Sequence, residues 1–247
     1  MPTFKLTIAY DGTNYCGWQV QVNGPTVQAA IERAVAQIAG QRIRVTGSGR
    51  TDSGVHALGQ VAGFQSDQPL SPHQWKRALN GRLPDDIRVI DVAQHPGPFD
   101  PIRDCRGKRY RYLMCDGDVH DVFLRQYRWH LHVRLDQRRM QEAGQVLAGR
   151  HDFASFQGAG SPRATTVRTI RELKVWREPE DSDEVRLEVE ADGFLYNMVR
   201  NLVGVLVDVG HGKLDAHDVA EILAARDRGK ARRTAPPHGL FLVRVDY

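Results

Sequence analysis

The order in which two hydrophobic periods alternate along the first hundred residues constrains this fold more than any other feature. Thr3 to Ala9 puts Phe4, Leu6 and Ile8 on one side of a period-2 strand. Thr26 caps a period-3.6 stripe of Val27, Ala30, Ile31, Ala34, Val35 and Ile38 that ends at Gly40. Arg42 to Thr46 alternates again, and so does Gly59 to Phe64. Ser71 followed by Pro72 opens a second helix that runs to Asn80 and stops at Gly81, and Ile87 to Ala93 returns to a strand. The order β-α-β-β-α-β predicts the ferredoxin-like motif also used by RNA-recognition modules, an antiparallel sheet with helices on one face.

A proline-rich stretch from His95 to Pro101 reads as a linker, so the expected domains are 1–100 and 101–247. Beyond it the pattern predicts strands at Tyr110 to Met114, Arg168 to Glu178, Glu184 to Ala191 and Leu240 to Tyr247. Helices are predicted at Asp136 to Leu147, Phe194 to Val209 and Asp215 to Ala225. The second half thus resembles the first with insertions, although no repeat is visible in the letters. The expected fold class is α+β, two ferredoxin-like halves with mainly antiparallel sheets flanked by helices.

What the chain lacks excludes several chemistries. Cys16, Cys105 and Cys115 form no Cys-x-x-Cys pair, which argues against a disulfide framework or a zinc ribbon. Gly47-Ser-Gly49-Arg-Thr-Asp52 starts like a dinucleotide loop, but Asp52 stands where the last Gly must let the backbone approach a pyrophosphate. No Gly-Lys pair sits in a triphosphate-cradling loop, and neither a Gly-x-Ser-x-Gly elbow nor a His-Glu-x-x-His pair occurs. His130 and His132 are closely spaced and read as ordinary histidines, not a metal site. No apolar run approaches the roughly 20 residues that span a bilayer, and Met1 to Ala9 alternates instead of forming a signal core. A cytoplasmic chain without membrane contact is expected.

Charge matters here through its kind and its clustering. Of 34 basic residues six are Lys, which leaves 28 Arg, the side chain that holds phosphate bidentately and stacks on bases. Arg103, Arg106, Lys108, Arg109 and Arg111 surround Tyr110 and Tyr112, with Asp104 the one acid among them. Cations for phosphate beside rings for an unpaired base are what an exposed nucleotide needs. A solvated strand with core tyrosines fits the same letters. A further basic run, Arg226 to Arg233, reads equally as a charged helix end. Arg200 lies in the otherwise apolar stretch Phe194 to Gly204 and requires a carboxylate or phosphate partner, unless its head reaches the helix rim.

Between two predicted strands, Gly47 to His56 holds three glycines within eight residues, a loop built around a particular backbone geometry. Arg50 and Asp52 occupy its tip. In an extended segment residues two apart point the same way, so the pair is expected to make a charge-assisted contact that keeps Asp52 ionised. A surface ion pair in a glycine turn is the plain alternative.

Together these stretches resemble the tRNA pseudouridine synthase A family. The resemblance rests on Ile8 to Gln19, Gly49-Arg-Thr-Asp-Ser-Gly-Val-His56, Lys108 to Tyr112, His151 to Phe156, Met198 to Asn201 and Gly239 to Val243, in the family's order. Phe99-Asp100-Pro101-Ile102-Arg103 departs from the Phe-His-Ala-Arg of many relatives. The resemblance implies the pseudouridine synthase fold and an isomerase that converts uridine to pseudouridine at positions 38, 39 and 40 of the tRNA anticodon stem-loop. It also implies a homodimer with tRNA as partner, no cofactor and no metal.

By match to the family motifs, Asp52 is the nucleophile, Tyr110 stacks on the target uracil, and Arg50 and Arg200 hold Asp52 as an anion in a cleft between the halves. Arg106, Lys108, Arg109 and Arg111 are the candidates for holding the RNA. Two rival classes fit less well. A non-catalytic RNA-binding module has no need of the Gly-Arg-Thr-Asp tip, and a metal-dependent nuclease needs further acids close to Asp52 in the chain.

Overall fold

The computed structural model describes residues 1–160, 164–180, 182–231 and 233–247. They form two compact units, Met1–Arg106 with Phe241–Tyr247, and Gly107–Leu240.

The first unit contains β1 (Thr3–Tyr10), α1 (Val27–Ala39), β2 (Thr46–Gly47), β3 (His56–Gln65), α2 (Pro72–Asn80) and β4 (Ile87–His95), and it takes up the chain's last strand, β10 (Leu240–Asp246). β1 pairs antiparallel with both β3 and β4, and β10 runs parallel to β3 through Phe241 opposite His56 and Leu242 opposite Ala57. The sequence pattern placed that strand in the second half, and pairing brings it to the first. The caps form where the residues demand them. Thr26 accepts the Ala29 N–H, Gly40 closes α1 in the left-handed region, and Ser71 and Gln74 cap each other at the start of α2. Phe4 stacks on Phe64 with ring centroids 5.4 Å apart, and Trp75 meets Phe64 edge-on at 5.0 Å, so the core lies between the sheet and its helices.

The strand expected over Arg42 to Thr46 shrinks to Thr46–Gly47. Side chains of α1 supply the reason. Glu32 Oε1 accepts the Val45 N–H at 3.0 Å and Gln28 Nε2 donates to the Val45 carbonyl at 2.9 Å, so Val45 needs no ladder partner.

The second unit contains β5 (Gly107–Cys115), β6 (Trp129–His130), α3 (Gln137–Gln145), β7 (Gly149–Asp152), β8 (Val167–Arg177), β9 (Glu184–Ala191), α4 (Met198–Gly210) and α5 (Ala216–Ala225). Its sheet runs β5-β9-β8-β7 with antiparallel neighbours, and β6 lies parallel to β5. α4 starts at Met198, four residues later than the apolar pattern predicts, because Asn197 enters the helix from the left-handed region at φ 57°. No helix among the described residues is long and apolar enough to cross a membrane.

An ion pair anchors this unit from within. Arg177 (3% exposed side chain) donates to both carboxylate oxygens of Asp116 (0%), at 2.9 and 2.5 Å, to the Leu135 and Ser182 carbonyls and to Gln137 Oε1, while Asp116 also accepts the Leu135 N–H and lies 3.4 Å from Arg134. Asp116→Ala leaves that guanidinium buried without its counter-ion. Urea titration is expected to show a loss of about 3–5 kcal/mol. A loss below 1 kcal/mol would mean that water reaches Arg177 in its place.

Candidate active site

The loop that carries Asp52 is tied down on both flanks by the first unit itself. On the leading side Ser48 donates its N–H to the Val61 carbonyl and its Oγ to Gln60 Oε1, and Gln60 Nε2 donates to the Gly49 carbonyl at 3.1 Å. At the tip the Trp18 N–H holds the Thr51 carbonyl at 3.1 Å, and Thr51 Oγ1 lies 2.8 Å from the Tyr10 hydroxyl. Burial pushes the Tyr10 phenol well above its ordinary range, so this contact stays neutral across the working pH. On the trailing side the Val55 N–H reaches back to the Asp52 carbonyl at 3.1 Å, and both the Gly54 N–H and Ser53 Oγ donate to the Tyr15 carbonyl.

Two glycines of the Ile8 to Gln19 stretch make this clamp possible. A Cβ on Gly17 would fall 2.5 Å from the Thr51 carbonyl oxygen, and Gly17 has φ +90°. A Cβ on Gly12 would fall 2.0 Å from the Val55 carbonyl oxygen. The letters of this stretch alone give none of its residues a role. The signal was a pair of glycines beside aromatic residues, whose contacts with the loop cross about forty positions of chain. Asp52 itself is half-buried at the centre of the turn. A carboxylate on a backbone held this tightly has little freedom left to lose when a substrate arrives, which is what a nucleophile needs.

The expected contact between Arg50 and Asp52 does not form. Arg50 is exposed, and among the described residues it makes no hydrogen bond or ion pair. The expectation assumed an extended strand, whereas residues 50–52 belong to no strand and the chain turns at Ser53 and Gly54, so the alternation that would put Arg50 and Asp52 on one face does not apply.

In the second unit, β5 sorts the basic cluster by alternation. Tyr110, Tyr112 and Met114 point to the buried face, and Lys108 shares their parity. Tyr112 is the core residue of the two tyrosines and donates its hydroxyl to the Pro236 carbonyl at 2.7 Å. Tyr110 (8% exposed) meets Phe194 edge-on at 5.1 Å. Arg109 and Arg111 point to the other face, where β9 supplies Glu190 and Glu188 directly opposite. Arg109 contacts Glu190 at 2.7 Å, Glu172 at 2.7 Å and Glu188 at 3.1 Å, and Arg111 contacts Glu188 at 2.6 Å. Glu190 holds the Arg109 guanidinium above its ordinary range. These two arginines therefore belong to a cross-strand ion network with its own carboxylates. Arg106 is exposed, and its N–H donates to the Asp246 carbonyl.

Arg200 lies near the start of α4, half-buried. Its Nε donates to the Ala235 carbonyl at 2.8 Å and its Nη1 to Asn197 Oδ1 at 3.0 Å, so two bonds within its own unit orient the guanidinium. The run Arg226 to Arg233 is largely structural. Arg226 pairs with Asp152 at 3.2 Å, Arg228 donates to Asn201 Oδ1 and Thr234 Oγ1, and Arg233 lies 4.5 Å over the Trp129 ring. Arg232 lies outside the described residues. Among the described residues no group of three or more His, Cys, Asp or Glu side chains converges as a metal site requires. His130 stacks on His120, meets His132 edge-on and bonds the Gly117 carbonyl through Nε2.

A family model described as tRNA pseudouridine synthase matches residues 6–100 and 143–247. Among curated proteins the chain is similar to "tRNA pseudouridine synthase A" of Myxococcus xanthus, with 45% identity over all of this chain and 92% of that one. The proteins of the same name from Acetivibrio thermocellus and Moorella thermoacetica are 44% and 43% identical, each over the whole of both chains. With a clamped aspartate loop in its first unit and a matched length from end to end, the chain belongs to the tRNA pseudouridine synthase family.

Proposed function

We propose that this tRNA pseudouridine synthase isomerises uridines 38, 39 and 40 of the anticodon stem-loop, with Asp52 as the group that performs the chemistry. The observation that carries the reading is the clamp on Asp52, a carboxylate whose turn is held by Tyr10, Tyr15 and Trp18 at once. Isomerisation breaks the N1 to C1′ bond, rotates the uracil and rejoins it through C5. No atom is added and no electron pair leaves the substrate. An ionised carboxylate serves either route to that exchange, by attack or by deprotonating the sugar on a glycal path.

The target base must leave its stack at a cost of a few kcal/mol, and an aromatic ring worth roughly 1–3 kcal/mol per stacked base offsets much of it. We assign that ring to Tyr110. Arg200 supplies positive charge for the Asp52 carboxylate. Arg50, exposed and without a partner among the described residues, is assigned to an RNA phosphate, and so are Lys108 and Arg106. Arg109 and Arg111 are withdrawn from that role because their own glutamates neutralise them. The same resemblance supports a cytoplasmic homodimer.

Carbodiimide mapping of unmodified tRNA after incubation with the enzyme tests the reading. Pseudouridine is expected at positions 38 to 40 and nowhere else, and modification confined to another arm would refute the assignment. Salt dependence separates the cations. Lys108→Gln is expected to lower the slope of log K against log salt by about one unit, the effect of one lost phosphate contact. Arg109→Gln is expected to leave that slope unchanged and to cost about 1–3 kcal/mol of stability, since Glu188 and Glu190 then lose their shared cation.

A further inference from the structure

His56 closes the loop stretch, is 1% exposed, and takes no part in the chemistry assigned above. Its ring stacks on Phe241 of β10, with centroids 4.6 Å apart and planes inclined by 21°. Packing alone accounts for that much. The placement of its nitrogen needs a further explanation. Nδ1 accepts the Gly12 N–H at 3.1 Å. It also lies 3.1 Å from Asp11 Oδ1, an oxygen already taken by the Thr13 N–H at 3.0 Å and Thr13 Oγ1 at 2.6 Å. To accept from the amide Nδ1 must present a lone pair, the arrangement that a ring proton on Nε2 supplies.

Gly12 is the residue whose α-carbon is pressed against the Val55 carbonyl, and Val55 in turn donates its N–H to the Asp52 carbonyl. The bond from Gly12 to His56 therefore locks the end of β1 onto the chain that follows the aspartate turn. We infer that His56 is a positioning residue for Asp52: its Nδ1, by accepting the Gly12 N–H, seats Gly12 against Val55 and so fixes the turn that presents the carboxylate. The inference rests on the reading of Asp52 as the reacting group.

The test compares single-turnover pseudouridine formation and tRNA Kd for wild type, His56→Phe, His56→Asn and His56→Gln, with Asp52→Asn run beside them. Phe keeps a ring on Phe241 and loses the acceptor. Asn can place an amide oxygen near the Nδ1 position, and Gln reaches toward the Nε2 position instead. The rate is expected to fall about 10- to 100-fold in the Phe and Gln variants with Kd unchanged, as a displacement near 1 Å produces, and to recover in the Asn variant. A wild-type rate in the Phe variant, or equal rates in the Asn and Gln variants, would overturn the proposal.

The ¹⁵N shifts of the His56 ring in the unaltered enzyme test the same point without a substitution. A protonated Nε2 and a bare Nδ1 are expected, and an Nδ1–H tautomer would contradict the mechanism. Activity in Asp52→Asn would instead remove the reading of Asp52, whatever the His56 variants do.

Discussion

Tyr110→Ala is expected to lower the single-turnover rate of pseudouridine formation by about 10- to 100-fold, the kinetic equivalent of roughly 1–3 kcal/mol of base stacking. Its effect on tRNA affinity is expected to be small. Binding draws mostly on phosphate contacts, which are spread over many cations, whereas one ring serves one extruded base. The structure makes this separation testable because the two tyrosines of β5 have different environments. Tyr112 is enclosed, with burial pushing its phenol far up, and its hydroxyl bonds a backbone carbonyl in its own unit. Tyr110 has Phe194 as its edge-to-face neighbour. Filter binding and single-turnover kinetics on the same Tyr110→Ala preparation check the point, with thermal melting to register any loss of packing. Equal falls in affinity and rate, together with a lowered Tm, would make Tyr110 a structural residue like Tyr112.

The reach of sequence reading in this chain follows the range of the interactions involved. Helices α1 and α2 were legible because their ends are set by residues three or four apart, Thr26 with Ala29 and Ser71 with Gln74. β2 was overestimated because the partners of Val45 are side chains of α1, and the pattern Arg42 to Thr46 contains no trace of Gln28 or Glu32. The start of α4 was misplaced because Phe194 and Leu195 extend the apolar pattern, while the backbone turns at Asn197.

At the site the same division holds. The loop declared itself through glycines close together in the chain, but the hands that grip it, Tyr10, Tyr15 and Trp18, lie about forty residues upstream. The basic cluster misled for a related reason. Its cations are consecutive, whereas the glutamates that neutralise Arg109 and Arg111 stand on β8 and β9, more than sixty residues downstream. Charge counted along a strand says nothing of which face each charge occupies until the strand is paired.

Asp52→Asn is expected to fold as the wild type does and to lose activity by roughly 10⁴- to 10⁶-fold, the scale on which enzymes respond to removal of a covalent nucleophile. The amide nearly matches the carboxylate in shape, and the substitution leaves in place the backbone bond from Val55 N–H to the Asp52 carbonyl and the contacts that Thr51, Ser53 and Gly54 make with Tyr10, Tyr15 and Trp18. The change is therefore confined to charge and nucleophilicity. The most direct measurement is tritium release from tRNA carrying 5-tritiated uridine, followed in a single turnover with enzyme in excess, because the label leaves C5 only when the base rejoins the sugar through that carbon. Wild-type protein is expected to release tritium and Asp52→Asn to release none above background, with both proteins folded by circular dichroism. Release by Asp52→Asn at the wild-type rate would contradict the account.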